Sequence, residues 1–71
     1  MKSKVIKILE GVLEVKVSLE SSSNALDEWD SLNHVRIILE IEEVFNIKIH
    51  FNDISKLKSV NAIVSYLEKS I

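Results

Sequence analysis

The chain has 71 residues, 46% of them hydrophobic and 28% charged, which fits one small globular domain over residues 1–71 and leaves no length for a second. It contains no cysteine, which excludes disulfides, thiolate nucleophiles and cysteine-ligated metals and makes the cytoplasm the expected location. Nine basic and eleven acidic residues give a formal net charge of −2, the wrong sign for binding nucleic acid through its phosphates.

The first predicted element is an amphipathic helix over about residues 3–16. Lys7, Glu10 and Glu14 interrupt its apolar stretch, which therefore lacks the continuous hydrophobic region of a signal peptide. No apolar run approaches the roughly 20 residues of a membrane span, so we expect a soluble chain. The predicted apolar face, at three- and four-residue spacing, consists of Val5, Ile8, Leu9, Val12 and Leu13.

Residues 17–29 form a predicted long ordered loop, because they are rich in serine, asparagine and acids and have no sustained periodicity. Its larger apolar residues, Leu19, Leu26 and Trp29, are expected to hold it against the core. Trp29 has two interpretations, an anchor for a partner protein or a residue packed over the core.

A second helix is predicted to begin at Asp30 or Ser31, since both residue types are favoured helix caps, and to end at about Phe45 or Asn46. Its many apolar residues occupy more than one stripe, which predicts wider burial than in the first helix. Phe45 shares a face with Ile38 and Ile41 and is expected to lie in the core.

The remaining segments predict a connector, a short helix and a last helix. Residues 47–50 alternate like a strand, but without a partner they cannot form a sheet. Asn52 or Asp53 can cap a short helix over 54–57, and Ser59 can cap the last helix. The apolar face of the last helix consists of Val60, Ile63, Val64 and Leu67. The predicted fold class is all-α: a four-helix bundle with a short third helix and a long loop between helices 1 and 2.

Several motifs occur together from Asp30 to Leu67: Asp30-Ser31-Leu32, Glu42-Glu43-x-Phe45, Ile47-x-Ile49 and Ser59-Val60. In this register, without gaps, the sequence resembles the acyl carrier protein family. The resemblance implies a 4′-phosphopantetheine arm, transferred from coenzyme A to Ser31 by a phosphopantetheinyl transferase, with Asp30 and Leu32 completing the motif. The terminal thiol of the arm then bears an acyl thioester, as in fatty acid biosynthesis, so the chain is expected to be a non-catalytic, monomeric carrier that serves acyl-loading and acyl-processing enzymes.

The charge of the second helix departs from the family pattern, in which partner enzymes dock on an acidic surface. Asn33, His34 and Arg36 stand where acidic or small polar residues are commoner. His34 is expected to be solvated. This departure argues against the usual docking of fatty-acid-synthesis enzymes. Trp29 stands before the motif where small residues are frequent, and in this the chain resembles carriers dedicated to specialised pathways. The candidate partner surface consists of His34, Arg36, Glu40, Glu42 and Glu43.

Another set of residues is predicted to be core and, by the resemblance, to part and shelter an acyl chain: Leu39, Ile54, Leu57, Val60 and Ile63. Two alternatives stay open, a helical interaction module without an arm and an aminoacyl or peptidyl carrier. A serine hydrolase built on Asp30, Ser31 and His34 is disfavoured, because the chain offers no clear oxyanion hole. His50 has no second ligand at a recognisable spacing, so no metal site is expected.

Overall fold

The computed structural model describes residues 1–70 and contains four helices: α1 (Lys2–Leu13), α2 (Ser31–Phe45), α3 (Phe51–Ile54) and α4 (Val60–Ser70). In this described part of the chain no extended strand occurs, and the one β-bridge pairs Ser22 with Ser59. The predicted all-α bundle, with its short third helix and long loop after the first helix, is confirmed. None of the helices within residues 1–70 has the length and apolar character needed to cross a bilayer.

Helix α1 ends at Leu13, three residues earlier than the predicted 16. Glu14 adopts the left-handed conformation (φ 58°, ψ 35°), and its amide donates to the carbonyl of Glu10. The Glu10 carboxylate also accepts a hydrogen bond from the Val17 amide at 3.0 Å, which fixes the chain in its new direction. No glycine or proline marks this end in the sequence, so the periodicity alone placed it too late.

One core collects residues from α1, α2 and α4. The predicted face of α1 buries Val5, Leu9 and Leu13, and Ile8 and Val12 pack half-buried against it. Helix α2 buries Ile37, Ile38 and Ile41, and α4 buries the whole predicted face of Val60, Ile63, Val64 and Leu67. Phe45 is half-buried at the edge of this core, so its predicted place inside the core is only partly correct.

Helix α2 is not buried as widely as its apolar content predicts. Four of its apolar residues are exposed: Leu32, Val35, Leu39 and Val44. A helix packed by one side against α1 has only one stripe to bury, so the remaining apolar residues face solvent. The exposed apolar residues are a candidate contact surface for another molecule.

The loop between α1 and α2 is attached to the start of α4. The Ser23 amide donates to the carbonyl of Lys58 at 2.8 Å, and the Val60 amide donates to the carbonyl of Ser21 at 3.0 Å. Trp29 is buried and Leu26 half-buried, as predicted, whereas Leu19 is exposed and the prediction for it is wrong. Val17 is buried on the loop instead, at the turn that Glu10 fixes.

Helix α3 lies three residues earlier than predicted, at Phe51–Ile54 instead of 54–57. Its N-cap is His50, which makes no side-chain capping hydrogen bond, so the predicted caps Asn52 and Asp53 lie inside the helix. Leu57 follows the helix and is buried in the core. Neighbouring polar residues each permit a cap, so the sequence alone does not specify where this short helix begins.

Ser59 caps α4 as predicted, because its Oγ accepts a hydrogen bond from the Ala62 amide at 3.0 Å. We expect Ser59→Ala to lower the free energy of unfolding by about 0.5–2 kcal/mol, the usual cost of losing such a cap. The measurement is the urea midpoint. Ser65→Ala, an exposed change within α4, is the matched control and should stay within about 0.5 kcal/mol of the wild type. Equal effects of the two substitutions would contradict the capping role.

Candidate functional site

Ser31 is the first residue of α2 and is exposed. Asp30 precedes it as the N-cap, with extended backbone, and its Oδ1 accepts a hydrogen bond from the Asn33 amide at 2.9 Å. The Asn33 side chain donates in turn to the carbonyl of Glu28 at 2.8 Å, which joins the end of the loop to the first turn of the helix. The predicted cap is confirmed, and these contacts fix the backbone that presents the Ser31 hydroxyl.

The environment of Ser31 fits an attached phosphodiester. At the start of an α-helix the first amide N–H groups lack intrahelical acceptors, and the helix dipole places partial positive charge there. An anion at this position is favoured by about 0.3–1 kcal/mol. The Asp30 carboxylate is already engaged with Asn33, so it is held in its capping position beside Ser31.

A cleft of about 590 Å³ adjoins Ser31. Its floor consists of three residues that are buried or pack against the core: Trp29, His34 and Ile54. Phe51, which sequence reasoning missed, stands on the rim with 84% of its surface exposed. In the sequence, Phe51 is identifiable as a bulky aromatic residue among polar ones, which is the pattern that could have indicated an exposed contact residue. The exposed rim includes Asp30, Ser31, Phe51, Asn52, Ser55 and Lys58.

His34 is buried, with 8% of its surface exposed, so the prediction of a solvated residue on the partner surface is wrong. The Trp29 indole Nε1–H donates to its Nδ1 at 3.0 Å. Its Nε2 lies 2.8 Å from the carbonyl oxygen of Ile54, at the end of α3. His34 therefore connects α2 both to the loop and to α3. Trp29 is itself 4% exposed, so of its two interpretations the structure supports packing over the core.

These two contacts determine which ring nitrogen of His34 carries the proton. An indole N–H can only donate, so Nδ1 must accept and is unprotonated. A carbonyl oxygen can only accept, so Nε2 carries the hydrogen and donates to Ile54. Both nitrogens are thus engaged, and neither is free to take a proton from Ser31. This arrangement argues against the hydrolase alternative.

The other residues of the candidate partner surface are of two kinds, exposed and half-buried. Arg36, Glu40 and Glu43 are exposed and available for contact. Glu42 is half-buried, and its Oε2 accepts a hydrogen bond from the Ile49 amide at 2.8 Å. Glu42 therefore holds the connector after α2, in the way that Glu10 holds the chain after α1. Its predicted place on the partner surface is only partly correct, because it is half-buried.

The candidate acyl-pocket residues do not form one group. Leu57, Val60 and Ile63 are buried in the core, and Ile54 is half-buried in the floor of the cleft. Leu39 is 59% exposed, so its predicted place in the core is wrong. The period of α2 turns Leu39 away from the face that buries Ile38 and Ile41, although the sequence makes all three equally apolar.

Within residues 1–70, no three histidine, aspartate or glutamate side chains come together in an arrangement that could hold a metal ion. His50 is exposed and serves as the N-cap of α3.

Comparison with known proteins adds a family match over nearly the whole chain. The family described as "Phosphopantetheine attachment site" matches residues 3–67. An acyl carrier protein of Buchnera aphidicola is 34% identical over 94% of this chain and 89% of its own length. That of Amoebophilus asiaticus is 40% identical over 96% of this chain and 89% of its own, and that of Bdellovibrio bacteriovorus is 45% identical over 83% and 76%.

A solved structure from Mycobacterium tuberculosis, described as an acyl carrier protein, superposes with a TM-score of 0.87. It covers 99% of this chain and 97% of its own, at 19% sequence identity. At that identity the match supports the fold, and the matches in sequence carry the family assignment.

Proposed function

Because the chain belongs to the acyl carrier protein family, whose members carry a covalently attached 4′-phosphopantetheine, we propose that Ser31 is the residue that bears this arm. The observation that carries the proposal is the exposed Ser31 hydroxyl on the first residue of α2, directly after the Asp30 cap. The helix start favours the phosphate that the attachment creates. The chain is a non-catalytic carrier, and the chemistry of attachment belongs to the transferase.

The attachment requires little from the carrier itself. The Ser31 oxygen forms a bond to the pantetheine-bearing phosphorus of coenzyme A, the pyrophosphate bond breaks, and adenosine 3′,5′-bisphosphate leaves. The base and the metal ion for this step are supplied by the transferase. The thiol of the arm carries acyl groups as thioesters, which is how a chain without cysteine can hold them.

The proposal is tested by incubating the protein with coenzyme A and a promiscuous phosphopantetheinyl transferase. Intact-mass analysis should show one added arm, and fragmentation should place it on the peptide that contains Ser31. Attachment at any other serine contradicts the assignment. A chain that stays unmodified would support the alternative of an interaction module without an arm.

We place the docking surface for acyl-processing enzymes on the exposed side of α2, next to Ser31. Leu32, Val35 and Leu39 follow one another there at three- and four-residue spacing and remain exposed. Exposed apolar residues of this kind, bordered by charged ones, are typical of protein contact surfaces. Arg36 supplies positive charge among Glu40 and Glu43. A mixed surface of this kind disfavours enzymes whose basic patches expect an acidic carrier, as in a specialised pathway.

Arg36→Glu is expected to raise acyl transfer by a housekeeping fatty-acid synthase enzyme by about two- to thirtyfold at low salt. An exposed ion pair contributes ~0.2–1 kcal/mol. The expected range counts this contribution twice, once for the repulsion that is removed and once for the attraction that is gained, and converts the total free energy to a ratio of rates. The gain should shrink at physiological salt, where the Debye length is about 8 Å. His34 is left unchanged in this test, because it is buried.

Lys69→Glu on α4 is the matched control for Arg36→Glu, since it changes the net charge equally outside α2. Transfer rates of the holo-proteins are compared at two salt concentrations. Equal gains from both substitutions would mean that net charge acts, and that the surface of α2 does not select the partner.

A further inference from the structure

Two hydrogen bonds join the residues that form the floor of the cleft beside Ser31. Trp29, His34 and Ile54 are the members of the cleft lining that are buried or packed against the core. They are joined in series, Trp29 Nε1 to His34 Nδ1 at 3.0 Å and His34 Nε2 to the Ile54 carbonyl at 2.8 Å. We refer to these three residues and their two hydrogen bonds as the latch. It ties the end of the loop, α2 and the end of α3 together.

The latch separates the cleft from the residues that could shelter an acyl chain. An arm attached to Ser31 leaves the chain at the rim of the cleft, so the cleft lies within reach of the arm and its acyl group. The candidate sheltering residues Leu57, Val60 and Ile63 are almost fully buried, with 3%, 0% and 1% of their surfaces exposed. None of these three residues lines the cleft, and the His34–Ile54 contact joins α2 to the end of α3, so a chain entering from the cleft between these helices has to displace that contact.

Breaking the hydrogen bonds of the latch costs free energy that the burial of a short acyl chain does not return. A buried polar group that loses its partner reduces the population of the open form by about 5- to 150-fold. A methylene moved from water into the core favours the open form by about fourfold. Parting His34 from Ile54 orphans the Nε2–H alone, because the Ile54 carbonyl keeps the Leu57 amide, and this offsets about one to four fully buried methylenes. Parting His34 from Trp29 orphans two groups and offsets about two to seven. A carrier with apolar residues at these positions would open without that cost.

We infer that the latch keeps short acyl chains out of the core, so that this carrier presents short acyl groups in the open cleft and His34 limits which cargo can be sheltered. The inference rests on the proposed attachment at Ser31. It gives His34 a positioning role, since His34 acts through Trp29 and α3 on the space available to the cargo.

The test compares the wild type with a double variant, Trp29→Phe with His34→Leu, which replaces the Trp29–His34 pair by apolar side chains. In this variant the Ile54 carbonyl keeps a partner, because it also accepts from the Leu57 amide at 3.2 Å. Val35→Leu, an exposed apolar change on α2, is the matched control. Each protein is loaded by the transferase from acetyl- and hexanoyl-coenzyme A, and intact mass verifies the load.

The readout is the rate at which hydroxylamine cleaves the thioester, because a sheltered thioester reacts more slowly. In the wild type and in Val35→Leu, the acetyl and hexanoyl forms should react at rates within about twofold of each other. The reason is that burial of a hexanoyl chain must first offset the free energy of opening the latch. In the double variant the hexanoyl form should react at least about fivefold more slowly than the acetyl form, as expected for two or more newly buried methylenes. A dependence on chain length in the wild type as large as in the double variant overturns the inference.

A measurement on the wild type alone covers the case in which the double variant does not fold. Trp29 is the single tryptophan, so its indole N–H gives one resolved NMR signal. That signal should keep the same protection from hydrogen exchange in acetyl and hexanoyl forms, because the closed latch keeps the indole N–H bonded to His34. Loss of that protection in the hexanoyl form overturns the inference. Failure to load any arm overturns the attachment at Ser31 as well, whereas loading followed by sheltering in the wild type overturns the latch alone.

Discussion

Ser31→Ala is expected to abolish attachment of the arm completely while leaving the fold intact. The phosphodiester needs the Ser31 oxygen, and alanine provides none. The substitution removes an exposed hydroxyl from a helix start that Asp30 still caps through Asn33, so the free energy of unfolding should change by well under ~1 kcal/mol. Intact mass after incubation with coenzyme A and transferase measures attachment, and a urea titration measures stability.

Ser55→Ala is the matched control for this experiment. Ser55 is exposed and lines the same cleft as Ser31, so its loss alters the cleft without touching the proposed attachment point. Full modification is expected in Ser55→Ala. An arm found on Ser31→Ala would refute the assignment, and an unfolded Ser31→Ala would show that the hydroxyl has a structural role beyond the contacts described above.

His34→Ala is expected to lower the free energy of unfolding by about 2–4 kcal/mol, a large share of the roughly 4–10 kcal/mol available to a chain of this size. The substitution leaves the buried Trp29 Nε1–H without an acceptor, which costs about 1–3 kcal/mol, and removes a second hydrogen bond worth about 1 kcal/mol. The Ile54 carbonyl keeps the Leu57 amide as a donor, which limits the loss. Urea titration followed by circular dichroism measures the change.

Arg36→Ala, an exposed change two residues further along the same helix, should stay within about 0.5 kcal/mol of the wild type. Trp29→Phe completes a double-mutant cycle with His34→Ala. The pair should show a coupling energy of about 0.5–3 kcal/mol, because each substitution removes a partner of the other. Additive effects would mean that the Trp29–His34 hydrogen bond does not contribute to stability, and a urea midpoint of His34→Ala equal to that of wild type would contradict its buried role.

Elements specified by local interactions were predictable from the sequence. Asp30 and Ser59 cap helices through bonds to amides three residues away, and such contacts depend on nearby residues alone. The apolar faces of α1 and α4 follow from the three- and four-residue spacing in the same way. The position of Ser31 at the start of α2 follows from its neighbour Asp30, so the candidate attachment point is identifiable from consecutive residues alone.

Elements specified by contacts between distant parts of the chain were not predictable. The end of α1 lies three residues before the predicted one, and Glu10 and Glu42 each accept a hydrogen bond from an amide seven residues later. Nothing in the sequence distinguishes these two glutamates from the others, so their hydrogen bonds to the following segments are not predicted. Leu39 and Ile41 are alike in the sequence as well, and the packing of α2 against α1 decides that Ile41 is buried and Leu39 exposed.

The sequence by itself determined the helical bundle, the caps of α2 and α4 and the exposed Ser31, because hydrophobic period and capping are encoded within a few consecutive residues. Only the tertiary structure decided the state of His34. Its two partners are Trp29, five residues before it, and the carbonyl of Ile54, twenty residues after it. Folding brings these groups together around one imidazole, and a histidine with both nitrogens satisfied can be buried where an unsatisfied one would stay in water.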